Sequence, residues 1–400
     1  MPGFEIFGQE EKQQIMDVLD TGVLFRYEFG DQRKGIYKVR TFEEQFAAYT
    51  GCGHAQAVTS GTAALKVALK ALGVGPGDEV ITQGFTFVAT WEAILEVGAI
   101  PVFSEIDKTM NMDPADLRKK ISAKTACIVP VHMMGSAARI EEIVAIGNEA
   151  GVPVLEDVAQ SAGGHIGGKY LGSFGSCGTF SFDSVKTITT GEGGMIITDD
   201  ESLWREMSEY QDHGHDHKVN PGGRGGEGRS FVGFNYRMME LQGAIGIAQL
   251  AKLDSMIEAQ KKNKDRLKAA VVQIRDVEFR ELLDPAGDSA TFLAFFLPDG
   301  GRRREVGRVL QEHGAGAICW AENNWHFFPR WEHLLGASTQ TRSGWPFMEP
   351  GGRRRVIYDK DALPNSAALL ERSLSYPISI NMSEERLQEM VQAIKKAAQV

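Results

Sequence analysis

Three stretches carry residue types whose spacing suits chemistry: Ser60-Gly61-Thr62, Glu156-Asp157-Val158-Ala159-Gln160 and Ser181-Phe182-Asp183-Ser184-Val185-Lys186. The first places small residues at a strand-to-helix junction, where exposed backbone N–H groups and the positive end of the helix dipole hold a phosphate. The same residues also make an ordinary helix cap. The second follows the apolar run Val152 to Leu155, so Asp157 stands at the C-terminal edge of a strand, the edge at which open α/β sheets bind ligands. A carboxylate there can pair with a protonated ring nitrogen, a metal or a ribose. The third ends on a lysine ahead of the glycine turn Gly191-Glu192-Gly193-Gly194, and burial would lower its pKa and make the amine nucleophilic enough for Schiff-base chemistry. Each signal is weak alone. An anion site, an acid and an amine in one α/β unit are together the parts that pyridoxal phosphate requires.

The elements that must position these groups follow from the alternation of short apolar runs with helical period between residues 55 and 200, the pattern of α/β units on a mostly parallel sheet. Strands are expected at Gln56–Thr59, Glu79–Thr82, Ile100–Glu105, Ala126–Val131, Val152–Glu156 and Gly178–Phe182. A helix is expected over Thr62–Leu72, and another from Asp113, an N-cap followed by Pro114 at the first helical position. A long helical pattern from Met239 leads toward a second domain containing a strand pair near Val277–Leu283 and Thr291–Leu297 and a helix carrying Val306, Val309 and Leu310. Residues 335–364 lack periodicity and read as a surface excursion. The triplets Arg302–Arg304 and Arg353–Arg355 read as solvated loops.

The chain has 400 residues, with 43 Lys+Arg against 53 Asp+Glu and a formal net charge of −10, which argues against nucleic acid as the main partner. Its four cysteines form no CxxC pair and no dense disulfide framework, which suits a reducing cytoplasm. The opening MPGFEIFGQEEKQQ has no basic and apolar leader, and no run of eighteen apolar residues occurs, so neither secretion nor a membrane span is expected. His213, His215 and His217 alternate, yet with no Cys or acidic cluster seen at ligand spacing no metal is expected.

The stretches SGTAALKVALKALGVGPGDEVITQGFTFVAT, EVGAIPVFSEID, VHMMG, VLEDVAQSAGG, GTFSFDSVKTITTGEGGMI and GFNYRMMELQGAIGIAQL, in this order, resemble the DegT/DnrJ/EryC/StrS sugar aminotransferases. The resemblance implies the α/β fold type I of pyridoxal-phosphate enzymes. That means a mostly parallel seven-stranded sheet in a large domain with an N-terminal arm, residues 1–250, and a smaller α+β domain, residues 251–400. It implies pyridoxal 5'-phosphate as cofactor, with Lys186 as the amine that bonds it and then moves the proton, and Asp157 on the ring nitrogen. It further implies Gln160 at the ring hydroxyl, Phe87 stacked on the ring, and Ser60, Gly61, Thr62 and Ser181 around the phosphate. Asn235 matches an asparagine that reaches the phosphate from the other subunit, which implies a homodimer with shared active sites. Lysine rather than histidine at position 186 favours transamination over the dehydrations of other members, and a scaffold that had lost catalysis would be expected to lack Lys186 or Asp157.

The segments MPGFEIFG, SFDSVKTITTGEGG, YQDHGHDH, LDPAGDSATF and AENNWHFF are similar to the subgroup that aminates the C8 aldehyde of an oxidised 3-deoxy-octulosonate, with glutamate as donor and lipopolysaccharide as destination. The alternative is a nucleotide-linked 3- or 4-keto hexose. For a sugar acid, Arg26 or Arg237 would supply the fork for the carboxylate. His215, Trp325 and His326 are the other expected substrate contacts.

Overall fold

The computed structural model describes residues 3–217, 228–349 and 351–400. Short apolar runs form β1 (His54–Val58), β2 (Glu79–Gln83), β3 (Ile100–Ser104), β4 (Thr125–Val129) and β5 (Leu155–Asp157). A small hairpin, β6 (His165–Ile166) and β7 (Lys169–Tyr170), precedes β8 (Cys177–Ser181) and β9 (Gly194–Thr198). Two ladders, β1-β9-β8-β5 and β3-β2-β4, join where Ile128 pairs with Val154 and Val131 with Asp157. Among the described residues the result is one sheet of seven strands, parallel except for β9, which runs antiparallel to both β1 and β8. This is the expected mostly parallel seven-stranded sheet.

Side-chain alternation puts Met195 and Ile197 of β9 on one face of the sheet and Ile196 on the other. The first face packs on the Lys38–Thr50 helix and the start of the Glu240–Val271 helix, the second on the Gly61–Ala71 and Val88–Glu96 helices. Both faces are covered, which is why the strands read as continuous apolar runs. The Asp113 cap forms as expected: its side chain accepts the Ala115 N–H, with Pro114 in the first turn.

The 32-residue Glu240–Val271 helix, roughly 48 Å long at 1.5 Å per residue, carries the chain onward. Residue 250, the expected boundary, lies inside it. Its apolar residues facing the large sheet run to Ile257, and those facing the second core begin at Leu267. That second core lies between an antiparallel sheet, β10 (Glu278–Phe279), β11 (Phe292–Phe296) and β12 (Ser373–Pro377), and the helices Gly300–Glu312 and Glu384–Ala397.

The arginine triplets differ from expectation. Arg302–Arg304 lie on a helix capped by Asp299, not on a loop, and pair with Glu305, Glu322 and Glu371. Arg355 lies over the Trp345 ring and donates to the carbonyls of Gly98 and Pro346. The 335–364 excursion is therefore anchored: Phe347 and Leu363 are buried, and the Tyr358 hydroxyl donates to Pro101 O at 2.9 Å.

Candidate active site

The C-terminal ends of β5 and β8 and the N-terminus of the Gly61–Ala71 helix converge on one cavity. Its lining includes Ser60, Gly61, Thr62, Phe87, Asp157, Gln160, Ser181 and Lys186. These are all the expected cofactor residues except Asn235. Ser60 is also the helix cap, its Oγ accepting the Ala63 N–H at 3.1 Å, so cap and anion site are the same structure. The close approach depends on two glycines. A Cβ on Gly61 would stand 2.6 Å from Ser181 Cβ, and one on Gly194 would stand 2.3 Å from Ser60 O.

Asp157 is 3% exposed at the end of β5. Burial pushes its carboxyl upward, while hydrogen bonds from the Ala159 N–H at 3.1 Å and the Thr90 hydroxyl at 2.9 Å, with the nearby Lys186 and His132, favour the carboxylate. The neighbouring acid, Glu156, has a different task. It accepts the Gly172, Phe174 and Gly175 N–H groups and pairs with buried His132 at 3.0 Å, which fixes the turn ahead of β8.

Lys186 leaves a turn made by Asp183, whose carbonyl accepts the Lys186 N–H at 3.0 Å and whose carboxylate accepts the Val185 N–H at 3.1 Å. Desolvation pushes the amine down from the usual lysine range, against the opposing pull of Asp157 and Asp183. Its Nζ stands 5.9 Å from the centroid of the Phe87 ring. Gln160 Oε1 accepts the Met134 N–H at 3.1 Å, which leaves the amide N–H groups as donors. Thr90, Asp183 and Met134 were not singled out in the sequence. Thr90 alone left a signal, a hydroxyl three residues after Phe87 in an otherwise apolar helix start.

Phe87, on the wall of the cavity, is backed by the second half of the chain. Thr86 N–H donates to His326 O at 3.0 Å and Val88 N–H to Trp325 O at 3.1 Å, clamping this segment onto Phe87. Trp325, 56% exposed, stacks on Phe87 with ring centroids 5.7 Å apart and planes at 6°. His326 lies 5.3 Å from the Phe87 ring, with Nδ1 3.0 Å from Asn323 Oδ1. Burial, with Lys186 nearby, pushes its imidazole down to about 4.

The remaining expected contacts lie elsewhere in the chain. Asn235 is exposed, its Oδ1 accepting the Arg237 N–H, beside the exposed Phe231, Val232 and Phe234. Arg26 Nη2 donates to both carboxylate oxygens of Glu43 at 2.8 Å, and Nη1 donates to Ala57 O. Arg237 pairs with Asp212 and lies over the Phe25 ring. Both guanidinium groups are thus engaged within the chain rather than free as forks in the Lys186 cavity. His215 and His217 gather at the same Asp212, 3.8 and 3.6 Å from its Oδ2. The expectation that no acid stands at ligand distance from these histidines is corrected: Asp212 sits three residues before His215, and a turn folds it back.

The donor set of the cavity fits pyridoxal phosphate: an amine, a buried carboxylate, an amide donor, an aromatic face, and hydroxyls at a helix N-terminus. The chain superimposes on the aminotransferase from Psychrobacter cryohalolentis with a TM-score of 0.81 at 28% identity, over 97% of this chain and 96% of that one. Fold and site define a pyridoxal-phosphate-dependent aminotransferase.

The profile of the DegT/DnrJ/EryC1/StrS aminotransferases matches residues 7–395, and the chain belongs to this family. It is 33% identical over 397 residues to the spore coat polysaccharide biosynthesis protein SpsC of Bacillus subtilis, covering 98% of this chain and 95% of that protein. It is 29% identical to the GDP-perosamine synthase of Vibrio cholerae, over 96% of this chain and 95% of that protein.

Proposed function

We propose that the protein is a glutamate-dependent sugar aminotransferase whose acceptor is the C8 aldehyde of 8-oxo-3,8-dideoxy-D-manno-octulosonate, giving the 8-amino sugar used in lipopolysaccharide. The observation that carries the reaction class is the placement of the Lys186 amine, the Asp157 carboxylate and the Phe87 ring around one cavity. Pyridoxal phosphate, when bound, supplies the electron sink that lets an amino group leave one carbon and join another. The chain's residues do the rest. Ser60, Gly61, Thr62 and Ser181 hold the phosphate; Asp157 keeps the ring nitrogen protonated; Gln160 donates to the ring hydroxyl. Lys186, whose burial favours the neutral amine, takes and returns the proton at Nζ. Phe87, backed by Trp325, bounds the cavity and excludes water.

The particular sugar is supported by the similarity of YQDHGHDH, LDPAGDSATF and AENNWHFF to the octulosonate subgroup, and by the packing of Trp325 and His326 on Phe87, which lines the cavity. A flat indole suits the apolar face of a sugar, and neutral His326 is an uncharged hydrogen-bonding neighbour. We further propose a homodimer in which Asn235 serves the partner's site, in keeping with its exposure among Phe231, Val232 and Phe234. The likeness to a GDP-perosamine synthase favours a nucleotide-linked keto hexose as the second reading.

The test charges the cofactor-loaded protein with glutamate, then adds 8-oxo octulosonate or a nucleotide-linked 4-keto hexose separately while absorbance follows the return of the cofactor's original spectrum. Return with the octulosonate alone is expected. Return only with the nucleotide sugar discards the octulosonate and keeps the aminotransferase.

A further inference from the structure

Outside the cofactor cavity, Asp212, His215 and His217 bring three potential ligand atoms within 4.8 Å of one another. The separations from Asp212 Oδ2, 3.8 Å to His215 Nδ1 and 3.6 Å to His217 Nε2, are too long for hydrogen bonds. They are close to the spacing of ligands that share an ion. With metal–ligand bonds of about 2.0–2.1 Å, tetrahedral ligands stand about 3.4 Å apart, so the two separations from Asp212 need contract by only a few tenths of an ångström, and the two imidazoles, within 4.8 Å of each other, close the third side.

The surroundings hold these groups in place. The His217 ring packs on Tyr27, with centroids 4.6 Å apart, and on the edge of His215, also at 4.6 Å. His217 Nε2 is buried with no hydrogen-bond partner among the described residues. Its backbone sits at φ +49°, a left-handed conformation that a non-glycine residue adopts at a cost. Asp212, itself buried, gives its other oxygen to Arg237, the kind of outer-shell bond that orients a ligating carboxylate. Arg26 is paired with Glu43, while Arg237 shares Asp212 with the site, so this one carboxylate faces both the guanidinium and the ion.

We propose that Asp212, His215 and His217 bind one divalent transition-metal ion of the zinc class, separate from the cofactor cavity. Two imidazoles and one carboxylate suit zinc, cobalt or ferrous iron rather than calcium or magnesium, and leave at least one position for water. The site ties the 212–217 turn to the segment that follows, since Asp212 also forms a backbone bridge with Asn235 and His215 with Arg229. An ion bound there braces this turn against that segment.

The test uses cofactor-loaded, tag-free protein stripped with a chelator and titrated with Zn²⁺ by calorimetry and with Co²⁺ by its visible d–d bands. One ion per chain is expected, with a rise in unfolding temperature. Asp212→Asn and His217→Gln should each weaken binding by more than the roughly 10–100-fold that an outer-shell change costs. Should a variant fail to fold, X-ray absorption of zinc-loaded wild type needs none: a shell of nitrogen and oxygen with imidazole scattering supports the site. A sulfur shell, which would place the ion on cysteine, overturns the proposal. So does absence of stoichiometric binding, or binding unchanged in both folded variants.

Discussion

The two sides of the catalytic cavity are built differently. The cofactor side comes from one edge of one sheet: the turn after β1, the ends of β5 and β8, and the Asp183 turn that carries Lys186. Its groups are aimed inward and held by backbone hydrogen bonds. The side we propose for the substrate joins Trp325 and His326 to Phe87, more than two hundred positions away, and its expected charged members, Arg26 and Arg237, are bonded to partners elsewhere. A site that one sheet assembles is fixed by local sequence, whereas a wall assembled from distant segments is fixed by packing.

The comparison breaks first at Lys186. Lys186→Ala should keep the fold by circular dichroism and lose turnover by about 10⁴-fold or more, beyond a proton-transfer role alone; unimpaired multiple turnover would sink the mechanism. Asp157→Asn should cost about 10³-fold, since it removes the buried charge that we propose for the ring nitrogen while keeping the bond from Thr90. Steady-state rates with saturating cofactor check this.

Arg26 sharpens the contrast. If its partner is Glu43 rather than substrate, Arg26→Met should lower stability by about 3–5 kcal/mol, because a buried carboxylate loses its mate. Adding Glu43→Leu should restore most of that in denaturant titrations. A variant of normal stability with a raised KM for the sugar would instead make Arg26 a substrate group. Gly61→Ala drives a Cβ toward Ser181, and equilibrium dialysis should show cofactor affinity reduced, with about 1–3 kcal/mol of overpacking strain.

The smallest effect concerns pH. The His326 imidazole is pushed down to about 4 in the folded chain against about 6.5 unfolded, so the unfolded state binds the extra proton between these values. Stability contributed by keeping this ring neutral is lost as pH falls from 6.5 toward 4. His326→Gln should show a shallower decline of unfolding midpoint across that window, and equal slopes would mean the ring is not desolvated as described.

Much of the cofactor side was legible in the sequence, because Asp157 follows an apolar strand and Ser60-Gly61-Thr62 opens a helix, both local patterns. Strand β9 was not read although every residue of it is buried: its apolar run is only Met195-Ile196-Ile197, directly after the glycine turn. Asp212 was passed over because its carboxylate reaches His215 and His217 only through the turn that folds them together. The engagement of Arg26 by Glu43, seventeen positions on, likewise depends on how the Lys38–Thr50 helix lies against β1, which no motif records.

The most direct test of the central claim loads the protein with pyridoxal phosphate, reduces it with borohydride and maps the covalently labelled peptide. Label confined to the peptide holding Lys186, and absent when glutamate is added beforehand, is the predicted result. Label on another lysine, or no stoichiometric uptake, would contradict the assignment of this cavity as the cofactor site.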